Sequence, residues 1–406
     1  MSFSSAPVGG RRRVLVVDDS AFMRRLVSDI VASSGEFEVV GTARDGVDAL
    51  RQMPLLDPDL VTLDVDMPNL DGLSCLDRIM QEWPRPVVML SAGGSEGGAD
   101  AALRALERGA VEFVRKPSGA ISLDLELVSE QLLDALRAAA AVTQLRVPHP
   151  SPTFLSVSGP PSGPTSSALR GSAHDRGLRS PARASSHSPT PPPSFVVCIA
   201  ASTGGPAALS RLIPQLPRFE RAAVLIVQHM PAGFTAGFAG RLHAISRLAV
   251  HEAMHGEPLL AGHVYVAPGG FHLRVGGTPR APSALLDQEP SEWGVRPAAD
   301  RLFKSAAQCY GAACLGVVLT GMGRDGADGL LAIRQSGGLA VVQERTSCVI
   351  PAMPDAALRV AGADEVVTLC DMHGAIERLV VGQGATAADR AVRIARGFGE
   401  SSGNRL

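Results

Sequence analysis

The sequence predicts an α/β protein built from two doubly wound, mostly parallel sheets in series. Three observations lead there. Apolar runs of strand length alternate with stretches of helical spacing between residues 14 and 114, and again between 195 and about 382. The residues that carry chemistry fall just after those runs, at the carboxyl ends where doubly wound sheets place their sites. Between the two halves, residues 147–194 hold 11 prolines, 12 serines and 4 glycines in 48 positions.

At 406 residues the chain accommodates two to three domains with their own cores. A formal net charge of −2, from 38 basic and 40 acidic residues, offers no broad field for nucleic acid or anionic lipid. The six cysteines (75, 198, 309, 314, 348 and 370) contain no C-x-x-C and no metal-type histidine spacing, so reduced core thiols are expected. Residues 1–13 end in three arginines, and Val14-Leu15-Val16-Val17 is too short for a signal segment. No uncharged run is long enough to span a bilayer. A cytoplasmic protein follows as the expectation, with no nucleic-acid partner and no membrane insertion, acting as a monomer.

In the first half, strands are expected at Val14–Val17, Phe37–Gly41, Leu60–Leu63, Pro86–Leu90 and Val111–Val114. Helices are expected at Ala21–Ser33, Gly46–Met53, Gly72–Trp83 and Gly98–Arg108. Asp18 and Asp19 follow the first strand, Asp64 the third, Ser91 the fourth and Lys116 the fifth. Any one of these aspartates would pass as a helix cap or loop residue. Together, three converging carboxylates repel one another unless a hard divalent cation such as Mg²⁺ lies between them, and a lysine and a hydroxyl beside them can hold phosphoryl oxygens.

On these motifs residues 11–135 resemble the receiver domain of two-component response regulators, a flavodoxin-like five-stranded parallel sheet. The resemblance implies that Asp64 accepts phosphate, that Asp18, Asp19, Asp64 and the Val65 carbonyl hold Mg²⁺, and that Ser91, Phe113 and Lys116 sense the phosphoryl group. The loop Ala92–Gly98 departs from the pattern in its glycine content. Residues 136–194 are expected to comprise a helix end and a disordered Pro/Ser-rich linker, since such composition buries too little apolar surface to order itself.

The second half, 195–383, opens with the apolar run Phe195–Ala200, then Ser202, then the turn Gly204-Gly205-Pro206 and a helical pattern. A hydroxyl at that corner faces unpaired backbone N–H groups. Alone it reads equally as a helix N-cap, a phosphate cradle or a nucleophile. Further runs at 223–227, 263–266, 315–319 and 339–342 imply a second parallel sheet, with His229 after one and Asp325 after another. A hydroxyl, an imidazole and a carboxylate on three strand ends of one sheet can form a Ser/His/Asp triad. No G-x-S-x-G elbow is present, which argues against an ordinary lipase. Asp328 is the alternative third member. His243, His251, His255, His263 and His272 read as surface or packing residues.

Ala201-Ser202-Thr203-Gly204-Gly205-Pro206, Gln228-His229-Met230-Pro231-Ala232-Gly233-Phe234-Thr235, Val266-Ala267-Pro268-Gly269 and Leu319-Thr320-Gly321-Met322-Gly323-Arg324-Asp325-Gly326 resemble the chemotaxis protein-glutamate methylesterase family, CheB. So do Arg296-Pro297 with Asp300 and Leu302-Phe303, and Met353-Pro354. The chain departs from it at Ala200-Ala201, where Gly-Ala is frequent, at Gly270 in place of an acid, and at Val295 in place of a histidine.

The resemblance implies a phosphorylation-activated hydrolase that demethylates glutamate γ-methyl esters on methyl-accepting chemotaxis receptors and deamidates receptor glutamines. Ser202, His229 and Asp325 would be catalytic, with Thr203 in support and the Met322 amide in the oxyanion hole. A chemotaxis histidine kinase would be the phosphodonor, Mg²⁺ would belong to the receiver, and the hydrolase would need no cofactor. The alternative is a phosphorylation-regulated receptor-binding protein with an inactive second domain. Residues 384–406 are expected to be a disordered tail.

Overall fold

Residue alternation along the first strand already decides the layering of the N-terminal sheet. Val14 and Val16 point into one apolar cluster while Leu15 and Val17 point into another, the period of two expected of a strand covered on both faces. The computed structural model describes residues 10–91, 96–116, 122–142 and 190–382. The linker and tail expectations, and most of the glycine-rich loop after Ser91, lie outside them.

The N-terminal elements run β1 (Arg12–Val17), α1 (Ala21–Ser33), β2 (Phe37–Ala43), α2 (Gly46–Leu56), β3 (Leu60–Asp64), α3 (Gly72–Glu82), β4 (Val87–Ser91), α4 (Glu96–Glu107), β5 (Glu112–Arg115) and α5 (Ser122–Ala140). The strands pair in parallel in the order β2-β1-β3-β4-β5. All five expected strands are present. Side chains of α1 and α5 fill one face, and α2, α3 and α4 the other.

The C-terminal half runs β6 (Phe195–Ala201), α6 (Gly205–Leu212), β7 (Ala222–Gln228), α7 (Thr235–Ile245), β8 (Ala249–Glu252), β9 (His263–Val266), β10 (His272–Thr278), β11 (Ala281–Asp287), α8 (Ala299–Tyr310), β12 (Cys314–Val318), α9 (Ala327–Gln335), β13 (Leu339–Gln343), α10 (Ala352–Val360), β14 (Glu365–Val367) and α11 (Met372–Val381). Seven parallel strands are ordered β14-β13-β12-β6-β7-β9-β8, and β10 and β11 form a separate antiparallel hairpin.

The five strands expected for this half are all found. Four more were not anticipated, because β8 and β14 are short and partly exposed and the hairpin strands are buried on one side only. β6 lies between β12 and β7, so the chain winds outward from β6 in both directions. The crevice at the carboxyl ends of these three strands is where such a sheet places its site.

Candidate active site and phosphoacceptor site

Ser202, His229 and Asp325 follow β6, β7 and β12, three adjacent strands, and the ladder locks their approach. His229 N–H donates to Ala201 O (3.1 Å), Leu319 N–H to Ala200 O (2.9 Å) and Ser202 N–H to Thr320 O (3.1 Å). Gln228, buried, donates from Nε2 to Ser202 O (3.0 Å) and His229 O (3.1 Å), tying two strand ends together. The turn after Ser202 needs its glycines. Gly204 has φ 76°, and a Cβ there would lie 2.6 Å from Val349 Cβ, while one on Gly205 would lie 2.1 Å from Gln228 Oε1.

His229 Nε2 is 2.8 Å from Asp325 Oδ2, so with Nε2 carrying the proton it donates to the carboxylate and Nδ1 is left as the basic nitrogen. Asp325, 2 % exposed, also accepts Ala299 N–H at Oδ2 (2.6 Å), and Asp300 N–H (3.0 Å) and Gly326 N–H (2.9 Å) at Oδ1. Ala299 and Asp300 open α8, whose N-cap Ala298 has no side chain to offer, so Asp325 takes over the capping. Burial alone would raise its pKa; the bonds from His229, Ala299 and Asp300 outweigh burial and hold the carboxyl below its usual range.

Ser202 Oγ makes no hydrogen bond among the described residues. Asp328, the alternative carboxylate, pairs with Arg324 (3.0 Å) rather than the imidazole. Three of the remaining histidines, His243, His255 and His272, accept backbone N–H groups. His251 pairs with Glu257 and His263 stacks on Tyr265.

Ser202, His229 and Asp325 line a cleft of about 460 Å³ with Met322, Trp293, Val295 and Arg296. Its opposite wall comes from the N-terminal half: Glu112, Phe113, Val114 and Arg115 of β5, and Gln131, Asp134 and Ala135 of α5. Thr203, expected to support the triad, donates from Oγ1 to Glu112 Oε2 of β5 (2.8 Å). Burial pushes the Glu112 carboxyl up to about 7. Beside it, the Phe113 and Phe234 rings lie 4.5 Å apart. Arg241 of α7 pairs with Glu107 and with Asp100 (3.3 Å) on α4. Sequence reasoning missed Glu112, Gln228 and Trp293. Only Gln228, next to His229 at a strand end, carried a local signal.

At the other end of β5, Asp18, Asp19 and Asp64 each offer an oxygen within 4.8 Å of the others. Lys116 Nζ is 2.7 Å from Asp18 Oδ2 and 2.7 Å from Asp64 Oδ1. Burial pushes Asp64 up to about 6 against the pull of Lys116. Ser91 Oγ is buried and has no hydrogen-bond partner among the described residues. The Val65 carbonyl, expected to join this group, accepts Gly72 N–H (2.9 Å) at the start of α3, which leaves its second lone pair for a cation.

Residues 197–376 match the CheB methylesterase family, and residues 14–127 match the response regulator receiver domain. A protein-glutamate methylesterase/protein-glutamine glutaminase from Pyrococcus horikoshii is 42% identical over 364 residues, 89% of this chain and 92% of that protein. One of the same name from Symbiobacterium thermophilum is 43% identical over 376 residues, 92% of this chain and 98% of that protein. A third, from Geobacillus kaustophilus, is 41% identical over 91% of this chain and 98% of its own length. The chain therefore belongs to the CheB methylesterase family, with a receiver domain ahead of the methylesterase domain.

Proposed function

We propose that this chain is a phosphorylation-gated protein-glutamate methylesterase, and a glutaminase by the same route, acting on chemoreceptors in chemotactic adaptation. The observation that carries the reading is the His229–Asp325 bond of 2.8 Å at the strand end beside Ser202. In it, Ser202 Oγ attacks the γ-carbonyl of a methyl-esterified glutamate while His229 takes the hydroxyl proton at Nδ1. The proton passes to the departing methoxide, giving methanol. Water then loses a proton to His229 and attacks the acyl-enzyme, and Ser202 leaves with that proton. For glutamine the leaving group is ammonia.

Ser202's own N–H is spent on Thr320, so the N–H groups of Thr203 and Met322, which have no partner among the described residues, are the candidates for the oxyanion. Thr203 supports the reaction through that backbone donor rather than its hydroxyl.

In the receiver, Asp18, Asp19 and Asp64 present oxygen donors suited to Mg²⁺, whose chemistry there would be to neutralise charge at the phosphoacceptor. Asp64 accepts the phosphoryl group from the chemotaxis histidine kinase, Lys116 and Ser91 meet its oxygens, and Phe113 moves with them. A cytoplasmic monomer is part of this reading; the six cysteines form no disulfide among the described residues, in keeping with a reducing compartment, and no helix of the described residues is long and apolar enough to cross a membrane. The domain limits 11–135 and 195–383 belong to it as well.

Methanol release from a methyl-esterified receptor is the test. Ser202→Ala is expected to abolish it, and Asp64→Ala to bring the ratio of rates with and without a phosphodonor to about one. Undiminished release by Ser202→Ala would leave only a receptor-binding role.

A further inference from the structure

One wall of the cleft has no part in the chemistry above. Glu292 and Val295 exchange both backbone hydrogen bonds (3.2 and 3.1 Å) around Trp293 and Gly294, whose φ values are 57° and 78°. Two successive positive φ values make a type I′ turn, and its first central position ordinarily goes to Asn, Asp or Gly. A tryptophan there is strained, and such strain persists where the surroundings over-determine it.

They do so here from three sides. Glu292 is clamped by Arg301 Nε (3.1 Å) and Lys304 Nζ (3.0 Å) of α8. Trp293 Nε1–H donates to Asp300 Oδ2 (2.8 Å), and the other oxygen of this buried carboxylate accepts Gly329 N–H (2.6 Å). The Arg324 guanidinium lies 4.3 Å from the indole centroid. Yet the side chain remains 47% exposed, on the cleft that holds Ser202 and His229. A tryptophan serving the core would be buried, and a residue serving the turn would be small. An indole held rigid and open beside a reactive hydroxyl suits contact with a partner, since it brings large area at little loss of side-chain entropy.

We propose that Trp293 determines specificity for protein substrates: its indole, backed by Arg324, is the platform on which the receptor segment flanking the γ-ester packs as the ester reaches Ser202. The inference rests on the methylesterase reading. It separates binding of the chain from the bond broken, so a small ester, which does not extend to the rim, gains little from the platform.

The test uses the full-length protein with Mg²⁺ and a phosphodonor. For Trp293→Ala, kcat/KM for a methyl-esterified receptor is expected to fall about tenfold more than for p-nitrophenyl acetate, mostly through KM. Trp293→Phe, which keeps an aromatic face, should recover most of the difference. Trp83 and Trp293 are the two tryptophans of the chain, so Trp83→Phe with Ser202→Ala leaves Trp293 as its single tryptophan, read with a receptor fragment that contains none. Saturating receptor should then shift its emission to the blue and shield it from acrylamide. Equal losses for both substrates would mean a structural role, and an unchanged emission at receptor saturation would remove the contact; either overturns the proposal. Methanol release by Ser202→Ala would instead overturn the methylesterase reading itself.

Discussion

Asp325 satisfies the imidazole and the first turn of α8 with the same two oxygens, so activity and stability meet in one side chain. Asp325→Asn keeps the shape but turns an NH₂ group toward backbone N–H donors. Loss of the correct imidazole tautomer is expected to lower kcat by about 10³–10⁴, and the unsatisfied donors to lower stability by about 2 kcal/mol. Methanol release and urea denaturation read the two effects separately. At this scale Ser202 and His229 were legible because each directly follows an apolar run, which fixes its place on the sheet edge; Asp325 lies seven residues beyond β12, and the 319–326 motif carried it. Glu112 and Trp293 were not legible: one acts through a domain contact and the other through a turn, and neither leaves a periodic trace. Val65 was assigned through family resemblance alone, since a backbone carbonyl leaves no trace in residue type.

Among the elements, β5 links both sites. Its downstream neighbour Lys116 holds Asp18 and Asp64, while Glu112 at its start holds Thr203 beside Ser202. A shift of this short strand on phosphorylation would reach the cleft without a longer path. Glu112 also gives docking of the receiver a pH dependence. Its docked pKa, about 7, lies above the ordinary 4.5. The docked state therefore binds the proton more tightly, and docking is strongest below the ordinary value and weakens as pH rises through about 7. The ratio of unstimulated to phosphodonor-stimulated rate should rise about threefold or more between roughly pH 5.5 and 8. Glu112→Gln stays neutral throughout and should flatten that rise, with a lower unstimulated rate at pH 8. A parallel rise in the variant would show that another group is responsible. The strands themselves were legible as apolar runs; β8 and β14 were not, because edge strands of three or four partly exposed residues lack that signal.

For the molecule as a whole, two sheets were readable from alternation alone, but nothing in either half announced that β5 and α5 would roof the cleft of the other, with α4 packed beside them on α6 and α7. That arrangement depends on contacts made only after both domains fold. One apolar cluster runs from Leu103 and Leu106 of α4 to Ala208 and Leu212 of α6, and the Arg241 ion pairs seal its edge. The seal is half-open to solvent, so its worth is modest: breaking it should cost the docked state about 1 kcal/mol. Where docking closes the cleft, the open fraction of the unphosphorylated enzyme then rises about fivefold, since 1.4 kcal/mol is tenfold. Arg241→Ala is accordingly expected to raise the rate of methanol release without phosphodonor by about fivefold, and the fully stimulated rate far less, because phosphorylation has already opened that population. High salt should raise the unstimulated rate of the wild type and leave the variant less affected. If Arg241→Ala raised both rates equally, the guanidinium would be acting on the chemistry, and the roof over the cleft would not be the gate.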